Sequence, residues 1–159
     1  MLLISDANIL IDMKDGGLLK AMFQLDDEFA VPDLLYAEEL EDQHSQLPRL
    51  GLQIRSLSGE SIARAMTLVQ RYRGPGINDL FALELARECG CPLLTGDKAL
   101  RNAAEAEGVE IRGTLWLVEA LVQQGIISIK MAREAYQKMR DAGSRLPWRE
   151  AERRLKALE

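Results

Sequence analysis

At 159 residues, with 47% apolar and 28% charged side chains, the chain can bury one self-sufficient core, and its 12 Gly and 5 Pro exclude collagen-like and low-complexity structure. No apolar run nears the roughly 20 residues that span a bilayer, and two cysteines with one histidine build neither a disulfide framework nor a four-ligand zinc site. The net charge of −5 is uneven: residues 1–111 hold 10 Lys and Arg against 19 Asp and Glu, a net of −9, while residues 112–159 hold 10 against 6, a net of +4. The main body thus lacks the positive field with which proteins coat nucleic acid, and any such role calls for bound cations, the basic tail or a partner.

The opening MLLISDANILID sets Asp6 and Asp12 in apolar surroundings without a basic flank. It reads as an interior strand of a cytoplasmic protein, not as a secretory leader. Leu2–Ser5 is the first strand, followed by helices near Asn8–Lys14 and Leu18–Gln24 across a Gly16-Gly17 break. Glu28–Val31 is the second strand, and Pro32-Asp33 opens a helix reaching about Gln43, with Pro and Asp both suited to a helix start. The alternating Gln53–Leu57 gives a third strand. Ser58 caps a helix to about Arg73 that carries Ile62, Met66 and Val69 at helical spacing. Gly74-Pro75-Gly76 breaks that helix, and Asn78-Asp79 starts another, ended by Gly90. Cys91–Thr95 is a strand ending just before Asp97, Lys98–Glu107 a helix, and Val109–Arg112 the last strand. Thr114 caps Leu115–Gln124.

This order calls for an α/β/α sandwich: a central parallel sheet with helices on both faces. The strands LLIS and PLLT are continuously apolar, as central strands covered on both faces are. Residues 1–125 form the domain. Residues 126–159, with helices near Ser128–Ala142 and Trp148–Leu158, form a basic helical extension packed on or beside it.

Open parallel sheets gather ligands at the carboxyl ends of their strands. Two strands here end on acids, Asp6 and Asp97. Asp79 begins a helix with Ala82, Leu83 and Ala86 on its face, and Glu38 shares a helical face with Leu34 and Leu35, so both lie beside the core. Asp6, Asp79 and Asp97 could each be an ordinary helix-start acid and Glu38, like Glu39, a surface acid, but convergence of four on one edge has another consequence. Two carboxylates about 5 Å apart repel by roughly 3 kcal/mol at an effective dielectric near 20, so the cluster holds protons, weakens the fold or binds a cation. An oxygen-only donor set suits Mg²⁺ or Mn²⁺, and such ions activate water toward phosphodiesters.

The segments SDANILID (5–12), VPDLLYAEEL (31–40), NDLFALELA (78–86) and LLTGDKALR (93–101) resemble, in order, the motifs of the PIN domain family. The resemblance implies an α/β/α fold and an acidic quartet that binds divalent metal and cleaves RNA, leaving 5′-phosphate and 3′-hydroxyl ends. By position the quartet is Asp6, Glu38, Asp79 and Asp97, with Asn8 and Thr95 as the supporting polar residues. Counting from Pro32 selects Glu38 as the second acid, and the acid-then-Leu pattern selects Glu39. Ala7 stands where the family usually has Thr or Ser. Many bacterial members resemble VapC-type toxins, which implies a small antitoxin partner and a homodimer. Residues 113–128 resemble a subgroup with a longer carboxyl tail. Lys98 and Arg101, at i and i+3 after Asp97, are placed to grip flanking phosphates of an RNA substrate.

Two other functions compete. One is an interaction module on the same fold with a weakened metal site, toward which Ala7 points. The other is phosphoryl transfer through an aspartyl intermediate, which needs a second acid close behind the first where this chain has Asp6-Ala7-Asn8.

Overall fold

The computed structural model describes all residues from Met1 to Glu159. Its elements in chain order are β1 (Leu2–Ser5), α1 (Ala7–Asp15), α2 (Leu19–Met22), β2 (Glu28–Pro32) and α3 (Asp33–Leu35), which runs into a π-helical turn over Tyr36–Leu40. Then come α4 (Leu47–Leu50), β3 (Gln53–Arg55), α5 (Gly59–Arg71), α6 (Ile77–Cys89), β4 (Leu93–Leu94), α7 (Lys98–Ala106), β5 (Ile111–Arg112) and α8 (Thr114–Gln123). The carboxyl segment supplies α9 (Ile129–Asp141) and α10 (Trp148–Ala157).

All five strands are parallel, in the order β3-β2-β1-β4-β5. Leu3 and Ile4 of β1 and Leu93 and Leu94 of β4 are wholly buried, which is why these strands are apolar without alternation. The chain winds outward from β1 through β2 to β3, then crosses to the other side for β4 and β5. The winding therefore reverses between β1 and β4, and it is there that strand ends leave a crevice. Ile4 pairs with Leu93 and Ser5 with Leu94. The Asp6 amide adds one further bond to the Leu94 carbonyl at 3.0 Å, so Asp6 lands beside the residue that follows β4.

One apolar cluster runs through the molecule and includes Ala132, Ala135, Tyr136 and Met139 of α9 with Ala151 and Leu155 of α10. The carboxyl helices are thus part of the core. Gly16 explains how closely α9 sits on α1. A Cβ there would lie 2.6 Å from the Met139 Cε and 3.3 Å from the Ala135 carbonyl oxygen, so close approach, not backbone freedom, demands glycine. On the other face α5 is fastened to α6 by the fully buried Glu84, which takes Arg64 Nε at 2.8 Å and Arg87 Nε at 3.2 Å.

Three expectations change. The helix after Pro32 is not α-helical throughout: the Glu41 amide reaches back five residues to the Tyr36 carbonyl at 2.8 Å, and the buried pair is Leu35 with Leu40. That wider turn swings Leu34 outward to 44% exposure and leaves Glu38 exposed, away from the core face that α-helical spacing gives it. Thr114 does not cap α8, whose N-cap is Gly113; its hydroxyl reaches Asp12 Oδ2 at 3.4 Å instead. A short helix at Leu47–Leu50 also appears where sequence periodicity gives none.

Candidate active site

Asp6, Asp79 and Asp97 all sit at helix starts around the crevice, and each caps its helix. Asp6 Oδ1 accepts from the Ile9 amide at 3.0 Å, Asp97 Oδ2 from the Leu100 amide at 2.9 Å, and Asp79 Oδ2 from the Gly76 amide at 3.3 Å. The positive ends of α1, α6 and α7 therefore face these carboxylates. Helices α1 and α7 begin just after the carboxyl ends of β1 and β4, and Asp79 at the start of α6 is near enough for its charge to act on Asp6, so the capping role does not by itself exclude a shared one.

Thr95 joins two of the acids. Its hydroxyl accepts from the Asp97 amide at 3.1 Å, which directs its own proton to Asp6 Oδ2 at 2.5 Å. Asp6 and Thr95 are each 1% exposed. Thr95, which follows the strand next to β1, is the side chain that donates a hydrogen bond to Asp6. Burial pushes the Asp6 carboxyl up to about 7, against the pull of its Thr95 and Ile9 bonds, with the charges of Asp79 and Asp12 adding to the rise. Asp79 is also raised, first by burial, then by Glu39 and Asp97, with the Gly76 amide opposing. These mutual effects place Asp6, Asp79, Asp97 and Glu39 within one electrostatic neighbourhood.

Glu38 makes a different contact: its Oε2 accepts from Asn78 Nδ2 at 2.8 Å, beside Asp79. Of the two adjacent glutamates, Glu39 is the one whose charge reaches Asp79. Asn8 is exposed and shares a cavity of about 450 Å³ with Asp97, Asp12, Asp15, Gly96 and Arg145. Arg101 lines a neighbouring cleft of about 810 Å³; Lys98 is exposed and lines neither.

Sequence reasoning missed Asp12. It takes Ser144 Oγ at 2.9 Å from the loop before α10 as well as Thr114, and burial raises its carboxyl. Partners 102 and 132 positions away leave no local signal. His44, hydrogen-bonded to Lys14 at 3.3 Å, takes no part in the rim. Cys89 and Cys91 are free and half-buried, and burial pushes the Cys91 thiol up to about 11, which leaves it inert as a nucleophile. No three acidic, histidine or cysteine side chains stand together as a ready cage. The donors at the rim are nevertheless all oxygens, with Asp6 buried, Asp79 half-buried and Asp97 open to solvent, and an oxygen-only set of this kind suits a hard divalent cation and not zinc.

A parallel α/β/α sheet with acids at its switch point defines a class, and comparison with known proteins narrows it. A family model described as DUF3368: PIN domain matches residues 2–159. The chain belongs to the PIN domain family, whose members are generally nucleases that use divalent metal ions. Among solved structures, the chain is similar to a PilT N-terminus domain protein, SSO1118, from the hyperthermophilic archaeon Sulfolobus solfataricus P2. The TM-score is 0.52 and the identity 13%, over 77% of this chain and 94% of that one. At that identity the likeness concerns the fold. No curated protein matches the chain. No helix is long and apolar enough to cross a membrane.

Proposed function

We propose that this protein is a divalent-metal-dependent endoribonuclease, with Mg²⁺ or Mn²⁺ held by Asp6, Asp79, Asp97 and the second acid of the Glu38–Glu39 pair. The observation that carries the proposal is geometric: at the switch point of the sheet the buried Asp6 accepts from the Thr95 hydroxyl at 2.5 Å, and Thr95 in turn accepts from the Asp97 amide at 3.1 Å, so the acids after β1 and β4 are tied to one edge, and burial raises Asp6 and Asp79 there. Such a rim is unfavourable as bare anions and favourable around a cation. When bound, the ion supplies Lewis acidity toward a phosphodiester and its attacking water.

The chain's own residues do the rest. Thr95 orients Asp6 and, by giving it a proton-donor partner, favours its ionised form. The capped helix starts hold Asp6 and Asp97 in place without loop motion. Asn78 steadies Glu38 beside the rim, and Glu39 supplies the charge that Asp79 feels.

Purified protein incubated with structured and unstructured RNA, with Mn²⁺ and with chelator, tests the proposal. Cleavage is expected only with metal and is expected to vanish in an Asp6→Asn, Asp97→Asn double variant; undiminished cleavage there overturns the assignment. A second reading, an interaction module without catalysis, is favoured by the absence of a ready cage. It predicts no rise in melting temperature at millimolar Mn²⁺, whereas a filled site stabilises the fold by mass action.

A further inference from the structure

The cleft of about 810 Å³ beside the rim is lined by four arginines, Arg101, Arg112, Arg145 and Arg154, against two acids, Glu105 and Glu150. This is the reverse of the main body's charge. Glu150 is already paired with Arg153, and Arg154 with Glu119, whose Oε2 accepts from Nη2 at 2.7 Å. Arg112 and Arg154 are thus paired, with Glu110 and Glu119, which leaves Arg101 and Arg145 as the cleft's arginines outside any ion pair. Arg112 lies with its guanidinium 4.5 Å from the centre of the Trp116 ring and 3.2 Å from Glu110, so its planar fork is held in one orientation before any ligand arrives. The arginines come from α7, β5, the loop before α10 and α10 itself, so only the packed carboxyl helices bring them together.

The cleft is joined to the acidic cavity. Gly96 and Arg145 line both, and the same short stretch supplies Thr95 to one and Asp97 to the other. A polyanion entering an acidic site needs cations on its approach, and here they stand one residue from Asp97, the member of the proposed quartet that lines the acidic cavity together with Asp12 and Asp15.

We propose that this arginine cleft seats backbone phosphates of a single RNA strand, with Arg112 and Trp116 as a fixed platform and Arg145 guiding the strand over Gly96 to the acidic rim. The proposal rests on the nuclease reading for the identity of the polymer. The volume, about 810 Å³, is that of a ligand pocket. Arginine forks match phosphate in a way that a merely solvated helix face does not.

The test is anisotropy of a short fluorescein-labelled oligouridylate bound to the full chain in EDTA, across a salt series, so that cleavage plays no part. Arg145→Ala, at an exposed unpaired side chain that folding does not need, and an Arg112→Gln, Arg145→Ala double variant are compared with Lys130→Ala outside the cleft. Each lost phosphate contact is expected to reduce the slope of log K against log salt by about 0.7, so the double variant drops by about 1.4 while Lys130→Ala is unchanged. Equal slopes for all variants overturn the proposal, as does equally tight, equally arginine-dependent binding of polyglutamate, which marks a protein-docking face. Metal-dependent cleavage lost in Asp6→Asn, with oligonucleotide binding indifferent to the arginines, sinks the cleft and keeps the nuclease. Arginine-dependent binding without any metal-dependent cleavage keeps the cleft as a strand-binding site and sinks the nuclease.

Discussion

Burial lifts the Asp6 carboxyl, and the Thr95 hydroxyl pulls it back down. Thr95→Val removes that pull and leaves the Asp97 amide and Asp6 Oδ2 each short of a partner, at a cost of about 1–3 kcal/mol. Mn²⁺ affinity, read by titration, is expected to fall about 10- to 100-fold, as when a group orienting a ligand is lost, and the acidic limb of the pH–rate profile to move to higher pH. Thr95→Ser restores both. For the second acid, Glu39→Gln is expected to weaken Mn²⁺-dependent stabilisation more than Glu38→Gln; the reverse order in a melting assay returns the role to Glu38. Asp6 and Asp97 were legible because a wholly apolar run that stops on an acid marks a central strand's end. Glu38 was misplaced because the five-residue turn over Tyr36–Leu40 depends on Leu35 and Leu40 both being drawn into the core, and spacing alone cannot show that.

At the scale of elements, the approach of α9 to α1 decides how the carboxyl segment behaves. Gly16→Val puts atoms where Met139 and the Ala135 carbonyl already are, and overpacking of this kind costs about 1–3 kcal/mol. Met139→Ala, which empties a wholly buried position, is expected to cost about 2–5 kcal/mol. Both are measured by denaturant unfolding; values near zero mean that α9 is only loosely attached. The helices at 129–141 and 148–157 were readable from Ser128, which caps α9 through the Met131 amide at 3.1 Å, and from helical spacing. Their place on α1 was not, since it hangs on a glycine whose lack of a side chain looks locally like a simple break. The same limit hid Thr114, whose partner is Asp12 and not its own helix.

For the molecule as a whole, the raised acids set a pH dependence. An Asp6 carboxyl at about 7 in the fold, against 3.8 when unfolded, means that the native state holds a proton the unfolded chain has released. Stability from this group is fully present below about 3.8 and declines as pH rises to about 7, by roughly 4 kcal/mol in all. Asp12 and Asp79, also raised, act in the same direction. In chelator the melting temperature is therefore expected to fall from pH 5 to pH 8, and Asp6→Asn to be more stable than the parent at pH 8. Saturating Mn²⁺ is expected to flatten the fall. A melting temperature that rises over that range in chelator excludes a protonated, buried Asp6. The sequence foretold an acidic body and a basic tail, but where the two meet depends on how α10 closes against α8.

Because the acids at the mouth of the crevice also tie down the first turns of their helices, an ion bound there is expected to change how readily those turns open. The amide hydrogens of Ile9 and Leu100, bonded to Asp6 and Asp97, should exchange with deuterated solvent at rates that change when a divalent ion is added. Amides in the middle of α6, which touch no rim carboxylate, serve as the internal reference. Two protons too far apart in sequence to share a local cause would then report together on a single event, with no substrate needed.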